Sequence, residues 1–285
     1  MGTRQTIENS VRVLIPRAVR PRLRALYQSA VDRLEIVRGE RDALTPPKRM
    51  WGLVGSAEHH PREVGRSFLR LLVERCGLQP REVVLDVGCG IGRIGATLAE
   101  YLRPPGRYEG FDIMPQAIEW CQKAITPRHP HCRFTLADVY NATYNPRGKF
   151  KASEYRFPYE DESFDLIFLT SVFTHMLPRD VEHYVAEIAR VLKPGGRFAI
   201  SFYLLNERSR EGIRAGTSSH TFGTDCGGCY AEIAESPEAA LAYDESRVRE
   251  MFGACGLSIA EPILYGSWPS TKEHGQDILI GTKSA

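Results

Sequence analysis

The stretch VVLDVGCGIGRIGATLAEYL, Val83 to Leu102, decides the fold. Val83 to Val87 has the length and β-branched content of a buried strand. A glycine-rich turn follows, and Ile91 to Leu102 then carries apolar residues at helical spacing. Glycine lets a ligand approach the backbone. The helix start offers free N–H groups and the positive end of its dipole. The spacing reads in two ways. From Gly90, Gly92 and Gly95 it is G-x-G-x-x-G, a dinucleotide turn. From Asp86, Gly88, Gly90 and Gly92 it is D-x-G-x-G-x-G. The stretch alone supports both.

Outward from it, strands and helices alternate. Arg107–Asp112 reads as a strand, Pro115–Ile125 as a helix, and Arg133–Asp138 and Phe164–Thr170 as strands. Arg179–Leu192 reads as a helix closed by a Pro-Gly-Gly turn at Pro194–Gly196, and Arg197–Leu205 as a strand. Glu245–Gly256 reads as a helix. Leu257–Gly266 and Gln276–Lys283 read as two last strands, joined by SWPSTKEHG as an antiparallel hairpin. Upstream, Arg62–Gly77 is an amphipathic helix stopped by its glycine. The alternation predicts an α/β domain, a mostly parallel Rossmann-like sheet with helices on both faces. That domain is expected over 62–285, with substrate-facing insertions at 140–161 and 206–243.

Residues 1–61 are expected to form an N-terminal helical extension and a linker. The helical part is broken early by Pro16 and Pro21, with Leu23, Leu26, Tyr27, Val31 and Leu34 on one side. TPPKRMWGLVGS, Thr45–Ser56, reads as linker by its prolines and glycines. The N-terminus is basic, with Arg4, Arg12, Arg17, Arg20, Arg22 and Arg24 against Glu8. Over the whole 285 residues the net charge is only +2, which points to no particular class of partner. Seven scattered cysteines do not make a disulfide framework and suggest free thiols in a reducing cytoplasm. No apolar run reaches membrane-span length, and no secretory h-region is read at the N-terminus.

The acids come next. Asp112 lies about twenty residues past the glycines, where either spacing wants a carboxylate on a ribose. Asp86 stands in the first strand, suited to a cationic ammonium. Asp138 ends the third strand, where an adenine amino group needs an acceptor. Then comes the block FPYEDESFDLIFLTSVFTHMLPRDVEHYVAEIARVLKPGGRFAISF, Phe157–Phe202. Its F-D-x-apolar strand opening and its L-K-P-G-G before the next strand resemble the class I S-adenosylmethionine-dependent methyltransferases, small-molecule type.

The resemblance implies a seven-stranded sheet of order 3-2-1-4-5-7-6, the seventh strand antiparallel, with the cofactor at the strands' carboxyl ends. It implies S-adenosylmethionine as cofactor and S-adenosylhomocysteine as product. Gly88, Cys89, Gly90 and Gly92 would surround the methionine part. Asp112 with Ile113 would hold the ribose, and Asp138 with Val139 the adenine. Thr170 would lie beside the cofactor toward the substrate. The expected reaction is in-line methyl transfer to a small-molecule hydroxyl, a sugar, phenol or other metabolite. His175 is the first candidate for the base and His220 the second. TSVFTH stands where amine-methylating relatives carry Asn-Pro-Pro-Tyr, which leans toward oxygen or carbon.

Two other functions remain open at this point. One is a silent S-adenosylmethionine-binding module. The other is an NAD-dependent oxidoreductase using Gly90, Gly92 and Gly95, which leaves Asp86, Asp138 and LKPGG unexplained. CGGC, Cys226–Cys229, supplies two of the four ligands that structural zinc wants, even with His220 and Asp225 nearby in sequence. A flexible Gly-rich lid without metal is expected there. The basic residues of YNPRGKFKASEYRFPYEDES are balanced by acids, so no nucleic-acid partner is expected. The basic N-terminal helix suits an anionic membrane surface, a lid or an oligomer contact. The oligomeric state stays open, a dimer included. Trp51 is expected to pack over the cofactor.

Overall fold

The computed structural model describes residues 20–54, 60–270 and 275–284. The elements are α1 Arg20–Val37, α2 Pro61–Cys76, β1 Val83–Val87, α3 Arg93–Tyr101, β2 Arg107–Asp112, α4 Pro115–Ala124, β3 Cys132–Leu136, β4 Phe164–Leu169, α5 Pro178–Val191 and β5 Leu192–Phe202. They continue with β6 Leu204–Leu205, α6 Glu207–Arg214, β7 Thr224–Asp225, β8 Tyr230–Ala231, β9 Leu241–Asp244, α7 Glu245–Ala254, β10 Leu257–Ile259 and β11 Asp277–Lys283.

Every residue of β1 is buried, as a strand must be when helices cover both its faces. One core gathers Leu85 and Val87 with Val181 and Ile188 of α5 and Phe252 of α7. The other gathers Val84 with Leu72 of α2, Leu98 of α3 and Ile118 of α4. The strand order is β3-β2-β1-β4-β5-β11-β10. β1 pairs in parallel with β2 and β4, and β11 runs antiparallel between β5 and β10. Counting only these seven strands, the order is the expected 3-2-1-4-5-7-6. The chain leaves β1 toward β2 and returns later to β4 on its other side, which opens a crevice at the strands' carboxyl ends.

Several expectations need correction. Pro21 does not break α1. It falls in the first turn, where the missing N–H has no intrahelical partner to lose. Arg4, Glu8, Arg12, Pro16, Arg17, Gly55 and Ser56 lie outside the described residues. The supposed linker is a 3-10 helix over Lys48–Val54, folded onto the domain with Met50 buried. α3 starts at Arg93 and not at Ile91, because Gly92 before it is left-handed. β3 stops at Leu136, two residues short of Asp138. The Pro-Gly-Gly segment is not a separate turn; it is the start of β5, where the register with β4 shifts.

The 206–243 insertion is not a structureless lid. It carries α6 and, with β6 and β9, a second sheet of order β6-β9-β8-β7. The last two strands are antiparallel, yet no tight hairpin joins them. β10 ends at Ile259, and Leu264 returns as an isolated bridge to Ile278. Pro262 between them has no N–H to give a ladder. Residues 271–274 of the expected hairpin turn lie outside the described residues.

Candidate active site at the carboxyl ends of β1 to β5

The glycine turn is built on three left-handed residues, Gly88 (φ 82), Gly90 (φ 53) and Gly92 (φ 72). A side chain there would add strain of about 1–2 kcal/mol per residue. The Gly88 and Cys89 N–H groups donate to the Phe111 carbonyl at 2.9 and 3.0 Å. Asp112 closes the turn. Its carboxylate accepts from Gly90 N–H (2.7 Å) and from Met114 N–H (2.9 Å). Burial pushes this carboxyl up, and the N–H groups of Met114, Gly90 and Ile113 pull it back down. Asp112 thus ties the turn to the start of α4.

Asp86 lies beneath the turn and is 1% exposed. The Tyr108 hydroxyl donates to its Oδ2 at 2.7 Å, while Oδ1 is buried without a hydrogen-bond partner. Burial lifts this carboxyl to about 8, against the Tyr108 hydrogen bond. Gly95 has a packing task. A Cβ there would meet the Tyr108 hydroxyl at 2.7 Å, and one on Gly110 at 2.6 Å. Both glycines make room for the ring that reaches Asp86.

Two valines seat on the turn. A Cβ on Gly88 would lie 2.3 Å from a Val172 methyl, and one on Gly90 2.8 Å from a Val54 methyl. Met50 is buried with Ile91, Met114 and Ala117, and Trp51, Val54 and Ile113 pack against that cluster. The Trp51 indole N–H donates to the Pro46 carbonyl at 2.9 Å. The 48–54 segment therefore caps the glycine turn.

Beyond β3, Asp138 meets the first insertion. Its carbonyl accepts from the Lys149 and Phe150 N–H groups (both 3.0 Å), and Lys149 Nζ lies 3.2 Å from its carboxylate. Val139 is buried and accepts from Asn145 Nδ2 at 2.9 Å.

At the end of β4, Thr170 is half-buried and Ser171 is left-handed (φ 56). A non-glycine residue held there is strained and needs support from its surroundings. Ser171 N–H donates to Ser201 Oγ (2.8 Å), and the Ser201 hydroxyl donates to Gln276 Oε1 (2.6 Å). Tyr203 hydrogen-bonds the same Gln276 side chain. Beside Tyr203 lies His220, ring centroids 4.7 Å apart, stacked on Phe222 at 5.1 Å. His220 Nδ1 is 3.7 Å from Glu232 Oε2. So His220 is not an isolated loop histidine. It belongs to the aromatic cluster of the second sheet.

His175 occupies another neighbourhood. It ends the 3-10 turn Phe173–His175, with Nδ1 2.9 Å from the Glu238 carbonyl and its ring 6.4 Å from that of Tyr144. A carbonyl only accepts, so Nδ1 donates to it and Nε2 is the ring nitrogen left for another partner. The two insertions thus both reach His175. Val54, Val172, Ser171, Ser201 and Gln276 gave no sequence signal. They are common residue types, and only the fold sets them against the turn or the β4 terminus.

Residues 85–200 match a family described as "Methyltransferase domain". Over that segment the chain is similar to methyltransferase domains, and its sheet has the strand order that the class I resemblance implies. Methyltransferase GfsG of Streptomyces halstedii is 32% identical over 141 residues, 49% of this chain and 44% of its own. A phthiotriol/phenolphthiotriol dimycocerosates methyltransferase of Mycobacterium leprae is 32% identical over 118 residues, 41% of this chain and 36% of its own. The matched region thus spans under half the length of either relative. Among solved structures, magnesium protoporphyrin IX methyltransferase from Synechocystis PCC 6803, with bound SAH, superposes with a TM-score of 0.51 at 18% identity. That match covers 78% of this chain and 83% of that one, and it shows the shared fold. Within the matched residues 85–200 the glycine turn, Asp112 and the β4 terminus all lie at the carboxyl edge of the sheet, and the Val54 cap comes from outside them.

Proposed function

We propose that this protein transfers a methyl group from S-adenosylmethionine to a hydroxyl oxygen of a small-molecule acceptor, leaving S-adenosylhomocysteine. The observation that carries this reading is the left-handed glycine cradle tied to Asp112 inside a methyltransferase domain. The residues fit the cofactor. The cradle has no room for side chains, and Asp86 keeps a buried oxygen that a donor would satisfy. When bound, the cofactor supplies a methyl group activated by positive sulfur.

The chain's own residues do the rest. The turn and Asp112 hold the methionine and ribose parts. Asp138 and Val139 border the adenine. Val54, Val172 and Trp51 exclude water from the turn. Alignment of nucleophile and methyl carbon supplies much of the rate. His175, its tautomer set by Glu238, takes the acceptor's proton on Nε2. The mycobacterial relative is named for phthiotriol substrates, and a triol offers hydroxyl acceptors, which favours oxygen. The same proposal divides the chain into a 1–61 extension and a 62–285 catalytic domain, with a cytoplasmic site of action.

Calorimetry with S-adenosylmethionine, S-adenosylhomocysteine and NAD(H) tests the cofactor. Both adenosyl ligands should bind and NAD(H) should not. Asp112→Ala, losing charged hydrogen bonds of about 1.5–3 kcal/mol, should weaken binding roughly ten- to a hundredfold. Binding of NAD(H) alone would sink the proposal.

A further inference from the structure

The CGGC motif is left over by the proposed reaction, and the second sheet gives it a definite geometry. Cys226 and Cys229 flank the two-glycine turn of the β7–β8 hairpin, next to the Asp225–Tyr230 pair. Gly227 (φ 76) and Gly228 (φ 114) take the backbone angles that such a turn needs. Asp225 Oδ1 fixes the turn by accepting from Gly227 N–H at 2.8 Å. Cys226 N–H donates to the Cys229 carbonyl at 2.9 Å, so the two cysteines stand directly opposite each other. Hydrogen-bonded antiparallel partners hold their Cα atoms about 5.5 Å apart. That lies inside the roughly 4.4–6.8 Å that a disulfide spans. The two side chains are already in hydrogen-bond contact.

The pair is asymmetric in the way thiol exchange requires. Cys226 is partly exposed, and Cys229 is 0% exposed. A cation covers the turn. A Cβ on Gly228 would lie 2.9 Å from the Arg247 guanidinium carbon. Burial pushes the Cys229 thiol up to about 12, so the partly exposed Cys226 is the partner that meets an oxidant first. Cys229 also contacts the Tyr243 hydroxyl, which donates to the Met176 carbonyl at 2.5 Å. Met176 follows His175 directly.

We propose that Cys226 and Cys229 form a reversible dithiol–disulfide pair whose oxidation loosens the Tyr243 clasp on the Phe173–Met176 turn. The oxidant is a small disulfide of the glutathione class. The Cys226 thiolate attacks one sulfur of glutathione disulfide, forms a mixed disulfide and releases one glutathione thiolate. Cys229 then attacks Cys226 Sγ, its proton passing to the departing sulfur, which leaves as the second glutathione thiol. The protein loses two electrons and two protons, and one glutathione disulfide becomes two glutathione thiols. Drawing the Cys229 sulfur toward Cys226 moves it off the Tyr243 hydroxyl, the group that holds the Met176 carbonyl. The disulfide itself stands apart from the proposed methyl transfer. Its effect on His175 rests on that reading.

The test uses the full chain in glutathione buffers of graded potential, trapped by alkylation and mapped by peptide mass spectrometry. A Cys226–Cys229 link that dithiothreitol reverses and Cys226→Ser abolishes is the expected result. Amide exchange across residues 173–177 should then rise about tenfold on oxidation in the wild type and stay unchanged in Cys226→Ser. Cys226 remaining reduced, or stopping as a glutathione mixed disulfide, overturns the pairing. A link without a change in exchange overturns the clasp. S-adenosylhomocysteine binding measured alongside keeps the outcomes separate, because its loss in both redox states counts against the proposed reaction and leaves the disulfide standing.

Discussion

Asp86 shows how much one position of D-x-G-x-G-x-G is decided by its surroundings. In the sequence it is a carboxylate suited to an ammonium. In the fold its strand runs between β2 and β4, its carboxyl takes one hydrogen bond from Tyr108, and burial lifts it to about 8. The folded value lies above the unfolded one, so the native state holds a proton that the unfolded chain has lost. The stability this gives is full below about pH 4 and is lost as pH rises toward 8. In Asp86→Asn the amide cannot ionise. Its stability relative to wild type should therefore climb by up to about 1.4 kcal/mol per pH unit across that window. Urea melts at pH 5, 6.5 and 8 check this, and parallel curves for the two proteins would contradict it. His175 belongs to the same scale. His175→Gln should cut turnover roughly 10²- to 10⁴-fold while adenosyl-ligand affinity stays within about twofold, if the side chain acts as the base. Single-turnover methyl transfer together with calorimetry separates rate from binding.

At the scale of elements, α1 and the 48–54 helix depart most from expectation. The spacing of Leu23, Leu26, Tyr27, Val31 and Leu34 was legible, and in the fold Val31 is half-buried while the other four are exposed, Tyr27 at 71%. A sequence pattern shows that a face is apolar but not what covers it. Ionic contacts hold the end of α1 to the following loop instead, Asp32 with Arg41 and Glu35 with Lys48. The exposed apolar side chains and the basic N-terminal sequence motivate a peripheral contact with anionic membrane. Flotation with phosphatidylglycerol vesicles should recover the protein, and Leu26→Glu with Tyr27→Glu should abolish recovery. Equal recovery on neutral phosphatidylcholine vesicles would sink the electrostatic part. The 48–54 segment carries the opposite lesson. The prolines and glycines of Thr45–Ser56 announce a linker, yet Met50 finds Ile91 and Met114 and the 48–54 helix closes over the turn.

At the scale of the molecule, the two sheets are joined through Asp277, which no motif flagged. This carboxylate, 1% exposed, accepts from Leu204 N–H, Trp268 Nε1–H and Gly266 N–H, each at 2.8 Å. It therefore anchors β11, β6 and the Trp268 cluster together. Asp277→Ala would leave two buried donors and the partly buried Gly266 N–H unpaired, at about 1–3 kcal/mol for each buried donor before relaxation. A loss of at least about 3 kcal/mol in chemical denaturation is expected, and a loss under 1 kcal/mol would show that the anchor is dispensable.

Legibility across the chain follows the range of the interactions. β1, β2, β4, α2 and α5 were readable because each is set by a local hydrophobic period and a local stop, such as Gly77 in its left-handed cap. The seven-strand order was readable because the Asp112, Asp138 and LKPGG positions together resemble one family. The second sheet was not readable. Its strands of two to four residues are too short to show a period, and their partners lie up to some forty residues apart, as Leu204 and Tyr243 do. The same holds for the candidate site. Glycines and acids advertise themselves by type and spacing, whereas Val54 on Gly90 and Ser201 beneath Ser171 become visible only when distant segments meet.

The sequence by itself determined the α/β class, the glycine turn and the acid at the end of β2, because these depend on local backbone preference and fixed spacing, while the order of the main strands was implied by the family resemblance. The tertiary structure alone decided what caps the turn, which partner each acid takes, where each histidine stands and that CGGC is a hairpin of facing thiols. Those outcomes depend on which side chains long-range packing brings within a few ångströms, and no local pattern in the chain encodes that.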